Sequence, residues 1–300
     1  MSKALKIWLI VATALVLVGI LIFGSVMTVF NWDFSKLSTS EFETNNHEIS
    51  EDFNNISVNS DTACITFLPT DDGKCRVECF ENVKAKHSVT VSDGTLYINL
   101  ENKRTWHDYI MNFGSAKISV YLPKTEYAEL AVKNSTGSVT VPESFSFSSA
   151  DITLITGNVS FSAPTVGSLS IKTTTGKISL TDVTCEEDIT LKVTTGKTVL
   201  SSVSCKNLTS DGSTGSLSLT NVLASEKLTV KRSTGSVTLE DTDAKEISIK
   251  TNTGSVKGNL LSEKIFFAES DTGRINVPKT TGGGKCEIKT DTGNINISIK

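Results

Sequence analysis

The dipeptide Thr-Gly recurs nine times at intervals of 19 or 20 residues, ending at Gly137, Gly157, Gly176, Gly196, Gly215, Gly235, Gly254, Gly273 and Gly293. A period so regular marks one structural unit copied along the chain, and units of this size build solenoids. Two residues after each glycine stands an aliphatic (Val139, Val159, Ile178, Leu217, Val237, Val256, Ile275, Ile295), with Thr198 the exception. A second apolar residue follows two positions later, as in Val141, Phe161, Leu180 and Leu219. This period-two alternation describes a short strand with one buried face. Seven and five residues before most of the glycines lies another apolar pair, such as Leu169 and Ile171 or Ile247 and Ile249, so each repeat carries a second strand.

The inward parity changes across Thr-Gly, which requires a turn there, and glycine reaches positive φ without a Cβ clash. Nine residues after the glycine a small inward position holds Val166, Cys185, Cys205, Ala224 and Ala244, suggesting a short third side. At ~3.3 Å per residue such a repeat closes a coil roughly 65 Å around, enough for a file of side chains and too small for a lumen. The fold class is therefore all-β: a single-stranded parallel β-helix with 19–20 residues per coil, preceded by one transmembrane helix. A propeller blade needs about 40–50 residues, and a sandwich has no cause to keep this period.

Ile7 to Phe30 is an uncharged apolar run, long enough to cross a ~30 Å hydrocarbon core. A cleaved signal fits less well, because its apolar core is normally ~7–15 residues. Lys3 and Lys6 precede the span, whereas Asp33 and Lys36 cancel beyond it, so the N-terminus is expected in the cytoplasm and the remainder outside. The expected organisation is a cytoplasmic stub 1–6, a span 7–30, a polar spacer 31–51, a β-rich cap or first coils 52–128, and the Thr-Gly β-helix 129–300. The last repeat runs to Lys300, so its coil is expected to be an open end, blunted by Asn294, Asn296 and Lys300 or covered by something docked there.

Between span and repeats, strands lacking the Thr-Gly register are separated by Asp71-Asp72-Gly73 and Ser92-Asp93-Gly94. An aromatic-rich loop follows, with Trp106, His107, Tyr109, Met111 and Phe113. Trp106, Tyr109 and Phe113 are candidates for an interaction or membrane-interface contact; packing over the cap is the plainer alternative. The order of span, Ile65-Thr66-Phe67-Leu68-Pro69, Ser92-Asp93-Gly94-Thr95-Leu96, aromatic loop, Ile118-Ser119-Val120-Tyr121-Leu122-Pro123-Lys124 and then Ser-Thr-Gly repeats resembles the bacterial putative-adhesin β-strand-repeat family, a domain of unknown function. The resemblance covers roughly residues 50 to 300. It implies an extracytoplasmic membrane-anchored β-helix, encoded in some members with envelope-stress regulators, and supplies no catalytic residues.

The only histidines are His47, His87 and His107, so the repeats hold no Ser-His-Asp relay and no His-based metal site. Two Asp-Thr-Gly triplets, at Asp271 and Asp291, match the short aspartic-protease signature but align as ordinary variants of the repeat turn. Stacked beside Asn252 they offer oxygens for Ca²⁺, though exposed turn carboxylates usually bind nothing. No catalytic residue, metal or cofactor is expected. Cys185, Cys205 and Cys286 read as buried thiols, while one pair among Cys64, Cys75 and Cys79 is open to bridging.

Four residues before the glycines stand Lys133, Lys172, Lys192, Lys231, Lys250 and Lys289, interrupted by Asp211 and Glu269. On one outward face they form a basic stripe for an anionic surface, or simply a solvated, aggregation-resistant face. The strand after the glycine presents Ser, Thr and Asn without the aromatic faces that grip sugars. The net charge of −4 argues against nucleic acid as a partner. Expected partners are the lipid bilayer, through residues 7–30, and a cell-wall polymer or envelope protein. The reading is a non-catalytic, adhesin-like binding scaffold at the bacterial cell surface. Its alternative is an envelope-stress regulator binding a membrane partner or antimicrobial peptide, and last comes a carbohydrate-active enzyme.

Overall fold

A computed structural model describes residues 2–33, 40–109 and 114–300. Lys36, Met111 and Phe113 lie outside the described residues, as does the side chain of Val166. The chain forms two compact units: Met1–Glu43 with Asn82–Ala85 and Asn102–Gly114, and Thr44–Glu81 with Lys86–Glu101 and Ser115–Lys300.

In the first unit, helix α1 spans Lys3–Val29. Ser2 caps it, its hydroxyl accepting from the Leu5 N–H at 3.3 Å. The hydroxyls of Thr13, Ser25 and Thr28 donate to carbonyls four residues back, so these polar groups are satisfied inside the helix. Asn31 and Trp32 then turn left-handed, at φ 53° and 59°, and stop it. The mean hydropathy of its apolar stretch is 2.8, with none of that stretch covered by protein. Among the described residues it is the one helix long and apolar enough to cross a membrane.

The second unit is a β-solenoid of about eight turns. Parallel ladders link each coil to the next in the register that the glycine count predicts, such as Val139↔Val159↔Ile178↔Thr198↔Leu217↔Val237↔Val256. These positions are buried, and Cys185, Cys205, Ala224 and Ala244 fill the small inward corner. Glycine is required at the turn by close approach as much as by φ. Gly196 has φ +151°, and a Cβ there would stand 1.7 Å from the Gly176 carbonyl oxygen. An inward polar column answers those carbonyls: Thr251 Oγ1 donates to Gly235 O at 3.2 Å and Thr290 Oγ1 to Gly254 O at 3.0 Å. Each such bond contributes roughly 1 kcal/mol net.

In that column stands Arg232, 3% exposed inside the solenoid. Its guanidinium donates to Ser210 O at 3.0 Å, Ser210 Oγ at 2.8 Å and Thr198 Oγ1 at 3.4 Å. It occupies the space above Gly212, where a Cβ would meet Nη1 at 2.8 Å. Burial depresses this arginine to about 10, against the pull of Asp211 in the other direction. Thr198, Ser210 and Gly212, each irregular in the repeat, are thus one adaptation to a single buried cation.

The stacking order departs from the sequence order at both ends. Asn55–Thr70 pairs with Thr95–Asn102 and Ala116–Pro123 on one side and with Glu126–Thr136 and Val139–Val141 on the other. Contrary to the expectation that this region lacks the repeat register, Ile56, Val58, Ile65 and Phe67 take its inward positions, and Ala63 stands where glycine would. At the other end Gly284–Thr292 and Ile295–Ile299 lie between the Gly254 coil and the Gly273 coil. Gly282, Gly283 and Gly284 make that insertion feasible. A Cβ on Gly284 would stand 1.8 Å from Lys245 O, and one on Gly283 1.8 Å from Glu263 O.

The open end is therefore corrected. It is the Gly273 coil, not the one that ends at Lys300, whose N–H bonds Leu260 O at 2.9 Å. Lys264–Thr272 and Ile275–Asn276 pair on one side only among the described residues. Phe267 is 55% and Ile275 45% exposed there. At the opposite end Cys75–Asn82 runs antiparallel to Ala116–Pro123, and Ile118, Val120 and Leu122 are buried.

Candidate binding surface

Register places the candidate lysines in one outward column. Read along the stack it runs Lys133, Thr153, Lys172, Lys192, Asp211, Lys231, Lys250, Lys289 and Glu269. The expected interruption by Glu269 between Lys250 and Lys289 is corrected by the intercalated coil, which sets Lys289 directly against Lys250 and moves Glu269 to the end. Three lysines thus occupy consecutive rungs at the ~4.8 Å strand spacing. Lys172 pairs with Asp151 at 3.7 Å and Lys289 with Glu269 at 3.1 Å. Lys133, Lys192, Lys231 and Lys250 are exposed and form no ion pair among the described residues. The Lys289 ammonium is raised above its ordinary value, first by its hydrogen bond to Glu269.

Hydroxyls flank this column. Ser170, Thr190, Thr209, Thr229 and Ser248 occupy five consecutive rungs two residues before it. Thr174, Thr194, Ser213 and Ser233 lie exposed two residues after it. Ammonium donors between hydroxyl donors suit the oxygens of a repeating anion.

The aromatic candidates belong to the first unit. Trp106 and Tyr109 are exposed and do not pack over a core; Phe113 lies outside the described residues. The two Asp-Thr-Gly triplets are turns of the solenoid, with Thr253↔Thr292 and Thr272↔Thr292 in register, so Asn252, Asp291 and Asp271 stand on neighbouring rungs with Asp291 central.

One polar constellation was invisible in the spacing. Ser60 Oγ lies 2.9 Å from His87 Nε2, and His87 Nδ1 lies 2.6 Å from Glu81 Oε2. The His87 N–H donates to the same oxygen at 2.7 Å, and Asn45 Nδ2 donates to Oε1 at 2.8 Å. Burial pushes the Glu81 carboxyl up, but hydrogen bonds from the His87 ring, Asn45 and the His87 N–H outweigh it and hold it below the ordinary range. Cys79 Sγ completes a group whose ligand atoms lie within 4.8 Å of one another. The connectivity matches a hydrolytic relay, yet Ser60, His87, Glu81 and Cys79 are all buried and each ring nitrogen already has its partner. The arrangement ties the strand Asn55–Thr70 to Cys75–Asn82 and Ala85–Ser92. Its only sequence signal was that polar residues stand at inward-parity positions.

All six cysteines are free thiols. Burial pushes Cys75, Cys205 and Cys286 up to about 12, and Cys79 likewise with help from Glu81 and Glu78. A surface hollow of about 780 Å³ lies along the small corner column, lined by Cys205, Ala224, Ala244 and Gly284. The buried Lys264 ammonium at its rim is neutralised by Asp243 at 2.6 Å.

The Toastrack DUF4097 family model matches residues 53–212 and again 188–300. Similar solved structures include a "putative adhesin" from Bacteroides fragilis, 14% identical over 87% of this chain and 99% of that one, with a TM-score of 0.49. A "putative adhesin" from Parabacteroides merdae is 11% identical over 87% and 98%, with a TM-score of 0.49. A "putative lipid binding protein" from Parabacteroides distasonis is 16% identical over 87% and 98%, with a TM-score of 0.28. Nothing among curated proteins matches the chain.

Proposed function

This chain belongs to the Toastrack DUF4097 family, and on that footing we propose that it is a membrane-anchored binding scaffold of the bacterial envelope whose lysine column holds an anionic polymer without catalysing a reaction. The observation that carries this reading is the run Lys231, Lys250, Lys289 on consecutive rungs. Like charges directly opposite each other destabilise a sheet, so folding gives no reason to align them. A solvated face would be served as well by mixed charge. The hydroxyl columns on both sides add neutral donors, which favours phosphodiester or carboxylate oxygens over a purely diffuse attraction.

The helix α1 supplies the anchor, with the N-terminus in the cytoplasm and the solenoid outside. Its reading as a span rests on an apolar stretch of the helix of which no part is covered by the protein. A reagent that cannot cross membranes tests the orientation on a variant lacking native cysteines and carrying Ser236→Cys. Labelling in intact cells is expected, and protection there reverses the topology.

The polymer test uses synthetic poly(glycerol phosphate) and the full chain in nanodiscs of neutral lipid. Lys172, Lys192, Lys231 and Lys250 are reversed to Glu together. Four exposed charge contacts at roughly 0.2–1 kcal/mol each correspond to about a tenfold loss of affinity or more. Unchanged affinity in the folded variant removes the lysine column from the function.

A further inference from the structure

We propose that the exposed tip formed by residues 102–109 is a second membrane contact, seated in the headgroup zone of the bilayer that α1 spans. This rests on the reading of α1 as a membrane span. The tip and α1 belong to the same compact unit, together with Asn82–Ala85 and the stretch leading out of the helix. The stretch at residues 40–43 grips the base of the tip. Glu41 O accepts from the Val83 N–H at 3.1 Å and Lys84 O from the Lys103 N–H at 2.8 Å. Gly114 sits flush against the Phe42 ring, where a Cβ would come within 2.2 Å of it. About ten residues separate the end of α1 from this base, so the chain reaches no further than ~35 Å from the membrane surface before it enters the fold.

The tip is braced from within. Asp108 accepts from Lys84 Nζ at 2.5 Å, from the Thr105 N–H at 2.7 Å and from Thr105 Oγ1 at 2.9 Å. Those bonds, the Lys84 one foremost, hold its carboxyl down at about 2. Asn102 Oδ1 accepts from the Arg104 N–H and Nε at 3.0 Å each, while its Nδ2 donates to the Tyr109 hydroxyl at 2.9 Å. The Arg104 guanidinium lies 4.7 Å from the Tyr109 ring centre, and the Trp106 ring lies 3.6 Å from that of His107. This scaffolding presents its aromatics outward: Trp106 is 69% and Tyr109 51% exposed.

An apolar core would have drawn such rings inward, since large aromatics on a monomer are ordinarily covered. A tip that exposes Trp and Tyr beside Lys103 and Arg104 has the amphipathic composition that settles at the membrane–water boundary. Trp32, exposed just beyond α1, has the same character. Cations beside the rings meet lipid phosphates while the rings reach the acyl boundary. The first unit is thereby held to the bilayer at two points, the helix end and the tip.

The test uses the full chain in nanodiscs of phosphatidylcholine and phosphatidylglycerol, with lipids brominated at the upper acyl carbons. In the double variant Trp8→Phe, Trp32→Phe the only indole is Trp106. Blue-shifted emission and at least a twofold loss of intensity with brominated lipid are expected. The companion variant Trp32→Phe, Trp106→Phe leaves Trp8 inside α1, and its quenching reports the span alone. Quenching of Trp8 with water-like, unquenched emission from Trp106 overturns the tip contact and leaves the span standing. Absence of quenching at both positions overturns the span and the tip contact together.

Discussion

Gly196→Ala is expected to weaken the solenoid far more than Gly94→Ala, although both glycines have positive φ. At Gly94, φ +70°, a methyl group enters open space, and the cost is the left-handed backbone alone, about 1–2 kcal/mol. At Gly196 the methyl carbon arrives 1.7 Å from Gly176 O. Restoring an ordinary contact parts the two coils by more than about 1 Å. The bonds beside it, Gly176 N–H to Thr195 O at 2.9 Å and Ile178 N–H to Lys197 O at 3.0 Å, do not survive that separation. Two buried bonds at roughly 0.5–1.5 kcal/mol each, added to backbone strain of about 1–3 kcal/mol, make a loss of about 4 kcal/mol. Thermal unfolding followed by circular dichroism in detergent should show Tm falling by about 10 °C for Gly196→Ala and about 4 °C for Gly94→Ala. Accelerated exchange of the Gly176 and Ile178 amides should accompany the larger drop. Equal shifts in the two variants would refute the close-approach account and leave φ as the only reason for the glycine ladder.

Gly284→Val should expel the inserted coil, because its side chain cannot pass Lys245 O; new protease cleavage between residues 277 and 300 and weaker poly(glycerol phosphate) binding are expected, and an unchanged digest would sink the idea. Of the six thiols only Cys64 is not buried, so native protein at pH 8 should show one fast thiol toward an aromatic disulfide reagent, abolished by Cys64→Ser. A second fast thiol would contradict the buried column. Glu81 has a depressed folded pKa, so its stabilisation is present above the unfolded value near ~4.3 and is lost as pH falls through the folded value. Glu81→Gln should be less stable at pH 7 by roughly 1–3 kcal/mol and should lose less stability between pH 5 and 3; parallel curves would count against the His87 network as the cause.

Much of this molecule was legible from counting. The glycine positions assigned the inward aliphatics, the thiol corner and the lysine column, because a solenoid turns sequence period into spatial register and each strand's parity then decides its face. The same count exposed the Asp-Thr-Gly triplets as turns. Local rules also sufficed for α1, whose composition leaves no polar face to place in water. Three features needed the tertiary structure. Coil order at the ends follows which edges find partners, and a run of glycines at 282–284 permits an insertion that the unbroken 20-residue spacing from Gly273 to Gly293 conceals. The Thr198, Ser210, Gly212 and Arg232 irregularities lie up to 34 residues apart and make sense only once stacking brings them around one guanidinium. Ser60, Glu81 and His87 converge because the strands Cys75–Asn82 and Ala85–Ser92 fold back on the coil strand Asn55–Thr70, which no local spacing records. The sequence by itself determined the coil, its faces and a helix long and apolar enough to cross a membrane, since those depend on local periodicity and composition. The tertiary structure decided which coils touch, and hence that Lys250 stands beside Lys289, because pairing between edges is a contest among distant segments that no local pattern records.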